Sequence, residues 1–566
     1  MLKHLALLVT CVFMTPDLQA AGSSDRHDAR QSRESEMAST YVPLDSWIYS
    51  AFERLAAEGF AQTAFFSLRP WTRLDCARLI EEADDQIVND PAMLDTSTLL
   101  RNLKLEFAPE LDRRAGARNR EFRLESLDQR VTAIAGRPLT DGFHFAETLV
   151  DDDGRPFAEG ANLYSGTAFR ATAGPFAAYI KTELQRVPLG EVPDANAEQQ
   201  IAAADFTPSA AAGPASGFLR GRVLEANASF AFSNNQFTVG RQSLWWGPPQ
   251  SGATLFSNNA EPIDMVRYDR ARPFELPGFL RVLGPIRAQV LLGRLSDAQF
   301  VQPLNVLYGT SGVALKDQPF IHGEKISFKP TPNFEFGVSR SVIFGGAGAP
   351  VTIHSFVHSV FSAGTENGGS DPGDRRQAFD AQYRIPGLRQ CLTGYFDGFA
   401  DDQPFPLLYP TESVWLSGAF LRCVPHLSHL TVRAEGLLSP RRDLTFPGFF
   451  YFNVHYLSGY TNNRQLIGSW IGREAQDEQA WATWHFSPRS TLEVSGRSQN
   501  VSRAFLQGGS LRDLKAIADI ALHPEWQLRL EEQTEWWHFP LLSATGEHNA
   551  EFTIQLTYNP LGRAKP

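Results

Sequence analysis

Residues 237–260 read FTVGRQSLWWGPPQSGATLFSNNA, and the two adjacent indoles, Trp245 and Trp246, have flat apolar faces that stack on sugar rings. Asn258 and Asn259 follow with paired donors and acceptors, which suit sugar hydroxyls or fix a loop through its own backbone. The indoles also fit a membrane-interface girdle with one ring packed inward, so two readings compete for the pair. Arg241 sits mid-strand on an expected inward face, where an ion pair is its default role. Arg441 and Arg442 precede a run containing Phe446, Phe449 and Phe450, and either meet acidic sugars or form a solvated loop pair. Glu531, Gln533, Glu535 and Trp537 share one strand face. Two close carboxylates are what glycoside hydrolysis needs, but the sequence fixes no separation between them and acidic faces are ordinary inside a barrel. Trp537 stays a candidate for stacking. The chain has no HExxH, GxSxG, P-loop or dinucleotide fingerprint and its 13 His are scattered, so no catalytic residue, metal or cofactor is expected.

The elements that hold these groups are strands. The chain has 566 residues with 41 Phe and 11 Trp but only 5 Met, and its 44 Gly and 36 Pro are spaced as turns. A formal net charge of −11 argues against a nucleic-acid partner. Lys3 and His4, the apolar run Leu5–Met14 and Leu18-Gln19-Ala20 read as a signal peptide over residues 1–20, too short to span a bilayer. Thr10 before Cys11 argues against a lipoprotein. No later stretch offers 18 uninterrupted apolar residues.

Residues 21–40 read as a polar linker and 41–115 as a small helical unit. Trp47, Ile48, Ala51, Phe52 and Leu55 recur at helical steps, with Asp45 as the expected cap and Gly59 as the stop. Thr72 and Asp75 form a capping box for a second helix, and a third over about 96–107 is expected to end at Pro109. From about 120 to 560 the period is two. Ala178, Ile180, Thr182 and Leu184 oppose Tyr179, Lys181, Glu183 and Gln185, and residues 430–436, 491–497 and 551–558 repeat the pattern. Strands of this length after a signal peptide imply an all-β transmembrane barrel. About 22–26 residues per strand and connection give roughly 16–20 antiparallel strands, with about 18 preferred. Short turns near 173–174, 233–236, 487–490 and 523–525 fall at the periplasmic end. Longer segments (188–216, 247–285, 400–413, 439–449, 500–513, 538–548) face outward, although counting from a strand at 122–135 puts 188–216 on the wrong side.

The chain resembles the Wzi-type capsule assembly family of outer-membrane proteins. The resemblance rests on Tyr41-Val42-Pro43-Leu44-Asp45-Ser46-Trp47, Arg69-Pro70-Trp71-Thr72-Arg73, Asp153 to Gly160, and Gly240-Arg241-Gln242 through Trp246-Gly247 to Ser257-Asn258-Asn259-Ala260. It implies an outer-membrane barrel whose N-terminal helices plug the periplasmic mouth and which acts as a non-enzymatic surface lectin for capsular or exported polysaccharide. It also implies membrane lipid and the barrel-insertion machinery as partners of a monomer. Tyr558 is followed by Asn559–Pro566, so the terminal aromatic of the family's barrels is displaced. A small-solute porin is the alternative on the same fold, and a soluble carbohydrate-active enzyme is a further one.

Cys391 and Cys423 flank two strands joined by 400–413. Residues facing each other across an antiparallel hairpin have numbers of constant sum, which places these two opposite or nearly so, within disulfide reach. The same register puts Leu392, Gly394, Phe396 and Gly398, and Val414, Leu416, Gly418 and Phe420, on the lipid face, with both cysteines turned to the lumen.

Overall fold

The computed structural model of the protein describes residues 35–87, 94–208, 217–270, 272–302, 312–346, 351–361, 373–388, 391–401, 405–438 and 447–561. Eighteen strands form one closed antiparallel sheet: β1 (Arg120–Ala135), β2 (Gly160–Ala173), β3 (Phe176–Val187), β4 (Phe218–Phe232), β5 (Asn235–Gln242), β6 (Ile263–Arg270), β7 (Ile286–Arg294), β8 (Phe320–Thr331) and β9 (Phe334–Phe344) make the first half. The second half is β10 (Asp374–Arg384), β11 (Leu392–Asp401), β12 (Val414–Leu421), β13 (Leu430–Leu438), β14 (Ala475–Ser487), β15 (Ser490–Val501), β16 (Gly509–His523), β17 (Trp526–His538) and β18 (Glu547–Tyr558). Closure runs from Leu127 opposite Tyr558 to Ala135 opposite Ala550, so the first and last strands pair and no strand is left as a free edge. Among the described residues no helix is long and apolar enough to cross a membrane.

Alternation sorts the side chains as expected. Leu492, Val494, Phe552, Ile554 and Leu556 are exposed on the outside, while Arg497 and Asp513 pair inside at 2.6 Å and Lys515 and Glu531 at 2.8 Å. A single strand repairs the loop count: residues 160–173 are β2, so the chain reaches 188–217 at the expected outward end. The 247–285 stretch is not one loop. Strand β6 interrupts it, leaving an outward connection at 243–262 and one at the opposite end over 271–285.

Among the described residues four helices precede the barrel: α1 (Ile48–Glu58), α2 (Arg73–Ile87), α3 (Leu94–Glu106) and α4 (Ala108–Ala115). Gly59 stops α1 in a left-handed conformation, φ 95°. Asp45 does not cap it; the Ser46 hydroxyl accepts from the Ile48 amide at 3.4 Å instead. Thr72 does cap α2, accepting from the Asp75 N–H at 3.2 Å. Pro109 opens α4 rather than only ending α3, because a first-turn proline has no intrahelical amide to lose. The buried Trp71 is the hub of this unit, edge-on to Tyr49, Phe52 and Phe66 with ring centroids 5.2, 5.6 and 5.3 Å away. Residues 37–40 are not linker: Ala38 is fully buried and Ser39 exchanges hydrogen bonds with the Gln236 amide. Residues 1–34, with the stretch expected to be a signal peptide and most of the expected linker, lie outside the described residues.

The helical unit sits in one mouth of the barrel, held by wall charges. Arg73 lies among Glu110, Glu106 and Glu125, at 3.0, 3.0 and 3.3 Å, while Arg170 of β2 reaches Glu110 at 2.8 Å. Arg287 of β7 pairs with Asp75 at 3.1 Å, and Arg433 of β13 grips the Glu53 carboxylate at 2.7 Å through both oxygens. Glu335 of β9 accepts the backbone amides of Phe66 and Ser67 at 3.1 and 3.0 Å. Burial makes each partner expensive to remove, because the other charge would then stand alone.

Cys391 and Cys423 lie at this same end, joined, with Cα atoms 4.7 Å apart. Their register is one residue off strict opposition: Leu392 faces Leu421, and the Arg422 amide donates to the Cys391 carbonyl at 2.7 Å. That single step flips β12, since side chains alternate with period two. Val414, Leu416 and Phe420 point inward into the core, and Trp415 and Leu421 point outward, opposite to the sequence expectation. Mass spectrometry of the unreduced protein should find the peptides containing Cys391 and Cys423 cross-linked; two free thiols would refute the pairing.

Candidate carbohydrate site

At the other mouth the connections fold inward and pack into a roof. Its centre is the 243–262 connection, held to β-wall carboxylates through its backbone. Glu435 accepts from the Gln250 and Ser251 amides at 2.8 and 3.0 Å, and Asp397 accepts from the Thr254 amide at 2.8 Å. Pro248 and Pro249 bring no amide to satisfy, and a Cβ at Gly247 would stand 2.6 Å from the Asp397 carboxylate and 3.0 Å from the Ala253 Cβ, so a larger residue would have to displace the carboxylate that holds the connection. Residues 139–158 and 447–474 complete the roof. Tyr451 stacks on Tyr460 (5.9 Å, 13°), its hydroxyl donating to the Thr254 carbonyl at 2.6 Å, and the Trp470 indole donates to the Ser251 carbonyl at 2.5 Å.

The apolar side chains of the roof and the inward residues of the wall form one continuous core. It contains Phe143, Phe145, Trp246, Phe256, Tyr451 and Tyr460 together with Ile321, Ile343, Phe399 and Leu511. The outer half of the lumen is therefore packed like the interior of a soluble domain.

All but two of the sequence-predicted groups fall among the described residues. Trp246 is 1% exposed, edge-on to Phe256 with its N–H donated to the Gln289 side chain at 2.9 Å, so it is core and not a stacking surface. Trp245 is 7% exposed on the underside of the roof, its backbone paired with Arg69 of the helical unit at 3.0 and 3.1 Å. Asn258 and Asn259 fix a turn: Asn258 donates to the Asp151 carbonyl at 2.8 Å, and Asn259 accepts from the Asp151 amide at 3.1 Å. They thereby hold the 151–154 segment, where Gly154 has φ 59° and a Cβ would meet the Glu261 amide nitrogen at 2.6 Å. Arg241 faces outward, a correction. On β5 it follows the exposed Phe237 and Val239, and it pairs outside with Asp264 at 3.3 Å. Trp537 is buried, donating to the Arg137 carbonyl at 3.0 Å. Glu535 is occupied by Thr148 and Asn549, both at 2.7 Å, and Glu531 by Lys515 and Arg529 at 2.8 and 3.4 Å. Arg441 and Arg442 lie outside the described residues.

Beneath the roof lies a cavity of about 650 Å³ between the helical unit and the wall. Trp47, Trp245, Trp481, Tyr164 and Tyr179 give it aromatic faces, and its lining runs from Gln250 and Asn258 down to Arg489 and Asn559 at the helical end. It belongs to the underside of the roof.

The outer side of the roof carries groups that sequence reasoning missed. Helix α5 (Ala195–Ala204), capped by the Asp194 side chain on the Ala197 amide at 2.8 Å, lies in the 188–217 connection. From it a chain of side-chain amides runs outward: Gln507 donates to Gln200 at 3.0 Å and Gln200 to Asn196 at 3.2 Å, and Arg503, in the same connection as Gln507, is exposed. The only sequence signal was their place in two connections expected to face out. A charged clamp holds α5 down. His144 stands between Asp141 and Asp205, 2.7 and 2.8 Å away, and Arg473 reaches the other oxygen of Asp205. Burial disfavours the imidazolium, but the two carboxylates outweigh it and push the His144 pKa up to about 10. Arg473 is caged by the rings of Phe143, Phe452 and Phe505, 4.9, 4.1 and 4.8 Å from their centroids.

Comparison with known proteins matches this architecture. A solved structure described as Wzi, an outer membrane protein involved in group 1 capsule assembly in Escherichia coli and a carbohydrate-binding β-barrel, superposes with a TM-score of 0.61 at 15% identity, covering 91% of this chain and 98% of that one. An uncharacterized 55.8 kDa protein in the cps region of Klebsiella pneumoniae is 25% identical over 207 residues, 35% of this chain and 37% of its own length. The family model of the capsule assembly protein Wzi matches residues 129–551, most of the chain, and the protein belongs to that family.

Proposed function

We propose that this outer-membrane barrel holds exported polysaccharide at the cell surface without transforming it. The observation that carries the reading is the packed roof: a barrel whose outer half is filled by an apolar core is built as a platform rather than a conduit. The helical unit is then its periplasmic plug, and the closed sheet lets one chain act as a monomer. The carboxylates Glu531 and Glu535, the pair that a hydrolytic mechanism would use, are both engaged by wall partners. The family, and the carbohydrate binding described for the Escherichia coli structure, support the same assignment.

On the outer face the Asn196–Gln200–Gln507 amides with Arg503 offer donors and acceptors in the alternation that sugar hydroxyls need. Each hydrogen bond contributes about 1 kcal/mol, so replacing the three amides by Ala should weaken polysaccharide binding by roughly ten-fold or more. The measurement is cell-attached against released polysaccharide in a strain lacking the protein, complemented with the parent chain, with the triple variant, or with Trp245→Ala. The triple variant should shed polysaccharide while its barrel stays heat-modifiable. Shedding by Trp245→Ala alone would move the site to the inner cavity, and no shedding in the strain lacking the protein would remove the function.

A further inference from the structure

Not every connection at the outer mouth folds inward. Helix α6 (Ile353–Phe361), in the β9–β10 connection, lies against the outside of the wall. Alternation fixes the side: Lys325 of β8 and Ser341 of β9 point into the lumen, to Asp380 and Tyr460, so His322, Glu324, Arg340 and Phe344 point out. On a bare barrel these polar groups would face lipid. Instead His322 is 1% exposed, bonded to Glu324 and to the Ser359 hydroxyl of α6, both at 2.8 Å. Arg340 donates to the carbonyls of Ser359 and Val360 at 2.7 and 2.8 Å, closing the C-terminal end of the helix. Phe356 packs on Phe344, centroids 5.9 Å apart.

One flank of α6, about a quarter-turn from Phe356 and Ser359, presents bare apolar side chains. Ile353 is 85% exposed and Val357, one turn on, 45%. The helix IHSFVHSVF carries no Asp, Glu, Lys or Arg. Beside it, Phe405 packs on the outward Phe379, and the outward Trp415 donates to the Pro410 carbonyl at 2.8 Å, so residues 405–412 also lie on the outer wall, with Leu407 and Leu408 exposed. At the helical end the same side of the barrel bears a third such segment. The 3₁₀ turn Gly278–Leu283, carried by Phe274 on outward Ile286, leaves Phe279 and Val282 85% and 73% exposed.

We propose that α6 is an interfacial helix seated in the outer leaflet, its Ile353–Val357 face in lipid, and that it insulates His322, Glu324 and Arg340 from that lipid. The occupant follows from continuity. The bare face extends the lipid-facing belt of the barrel, and between the levels of α6 and the Gly278–Leu283 turn β8 runs roughly 27 Å along its axis, which at the usual tilt is of the order of the ~25 Å apolar band. A helix that is apolar on one side and makes polar contacts on another lies in the plane of such an interface.

Full-length protein carrying Ile353→Cys in a Cys11→Ser background, labelled with an environment-sensitive fluorophore and reconstituted in phospholipid vesicles, tests the proposal. The buried Cys76 and the joined Cys391 and Cys423 leave the introduced thiol to take the label. Doxyl-lipid should quench this label at least about threefold more than one at Asn196→Cys in α5, and aqueous iodide should show the reverse. Val357→Cys, on the same face, should follow Ile353→Cys. Equal iodide quenching at positions 353 and 196 would place α6 in water. Protection from both quenchers would mean that a second copy of the chain covers it. Either result overturns the proposal.

Discussion

Trp246→Ala should destabilise the folded barrel by about 4 kcal/mol, in the range measured for emptying a large aromatic from a packed core. The ring is almost wholly buried, lies edge-on to Phe256, and satisfies its N–H on Gln289 of β7, which is itself tied to Asp269 at 3.1 Å. Its removal therefore leaves both a void and an amide oxygen without its donor. Trp245→Ala should cost far less. That ring borders the inner cavity, its indole nitrogen has no partner, and its tie to Arg69 is through backbone that alanine keeps. Urea unfolding of the two variants in detergent, followed by the heat-modifiable band, measures the difference. Equal midpoints would mean that the roof is not a packed core.

Deleting residues 41–110 should leave a barrel that still does not conduct. The sequence alone suggests otherwise, because a self-contained helical unit in the mouth looks like the sole stopper. The structure places a second barrier across the lumen, tied to Glu435 and Asp397 on the wall and to Tyr451 and Trp470 in the neighbouring connection. Loss of the helices uncovers Arg287, Arg433 and Glu335, but water can solvate them in an opened mouth. Planar-bilayer currents should stay at baseline for that deletion and rise to steady openings only when residues 248–256 are shortened as well. Openings from the first deletion would show that the roof is permeable, and would restore the channel reading of the fold.

The barrel was legible because its code is local. Tyr179, Lys181 and Glu183 against Ile180 and Leu184 disclose an inside and an outside without any knowledge of neighbours, and the strand estimate needs only their spacing. What sequence hides is pairing at single-residue precision. The register joining Leu392 to Leu421 differs by one from the register that sets Cys391 opposite Cys423, and that is enough to turn Val414, Leu416 and Phe420 from lipid to lumen. Arg241 was misassigned for the same reason, one strand end read with the wrong parity. The Trp245–Trp246 pair was correctly seen as unusual, but nothing in WWGPPQ says that the connection turns into the barrel. That direction is set by Glu435 and Asp397, which lie far along the chain on other strands. The Asn196–Gln200–Gln507 amides were invisible as a group because they meet only across the closed mouth.

The hydrogen bonds from Phe66 and Ser67 to Glu335 span 269 and 268 residues of chain, and those from Arg433 to Glu53 span 380. Contacts so remote cannot form early, since loop closure is costly until the intervening strands are paired. The first helices to leave the export machinery thus have no wall to dock on. Their own core around Trp71 must keep them compact until β9 and β13 arrive, so the helical unit is shaped by waiting as much as by sealing. Variants that loosen Trp71 should then fail during biogenesis, as protein lost before insertion, and not as leaky barrels.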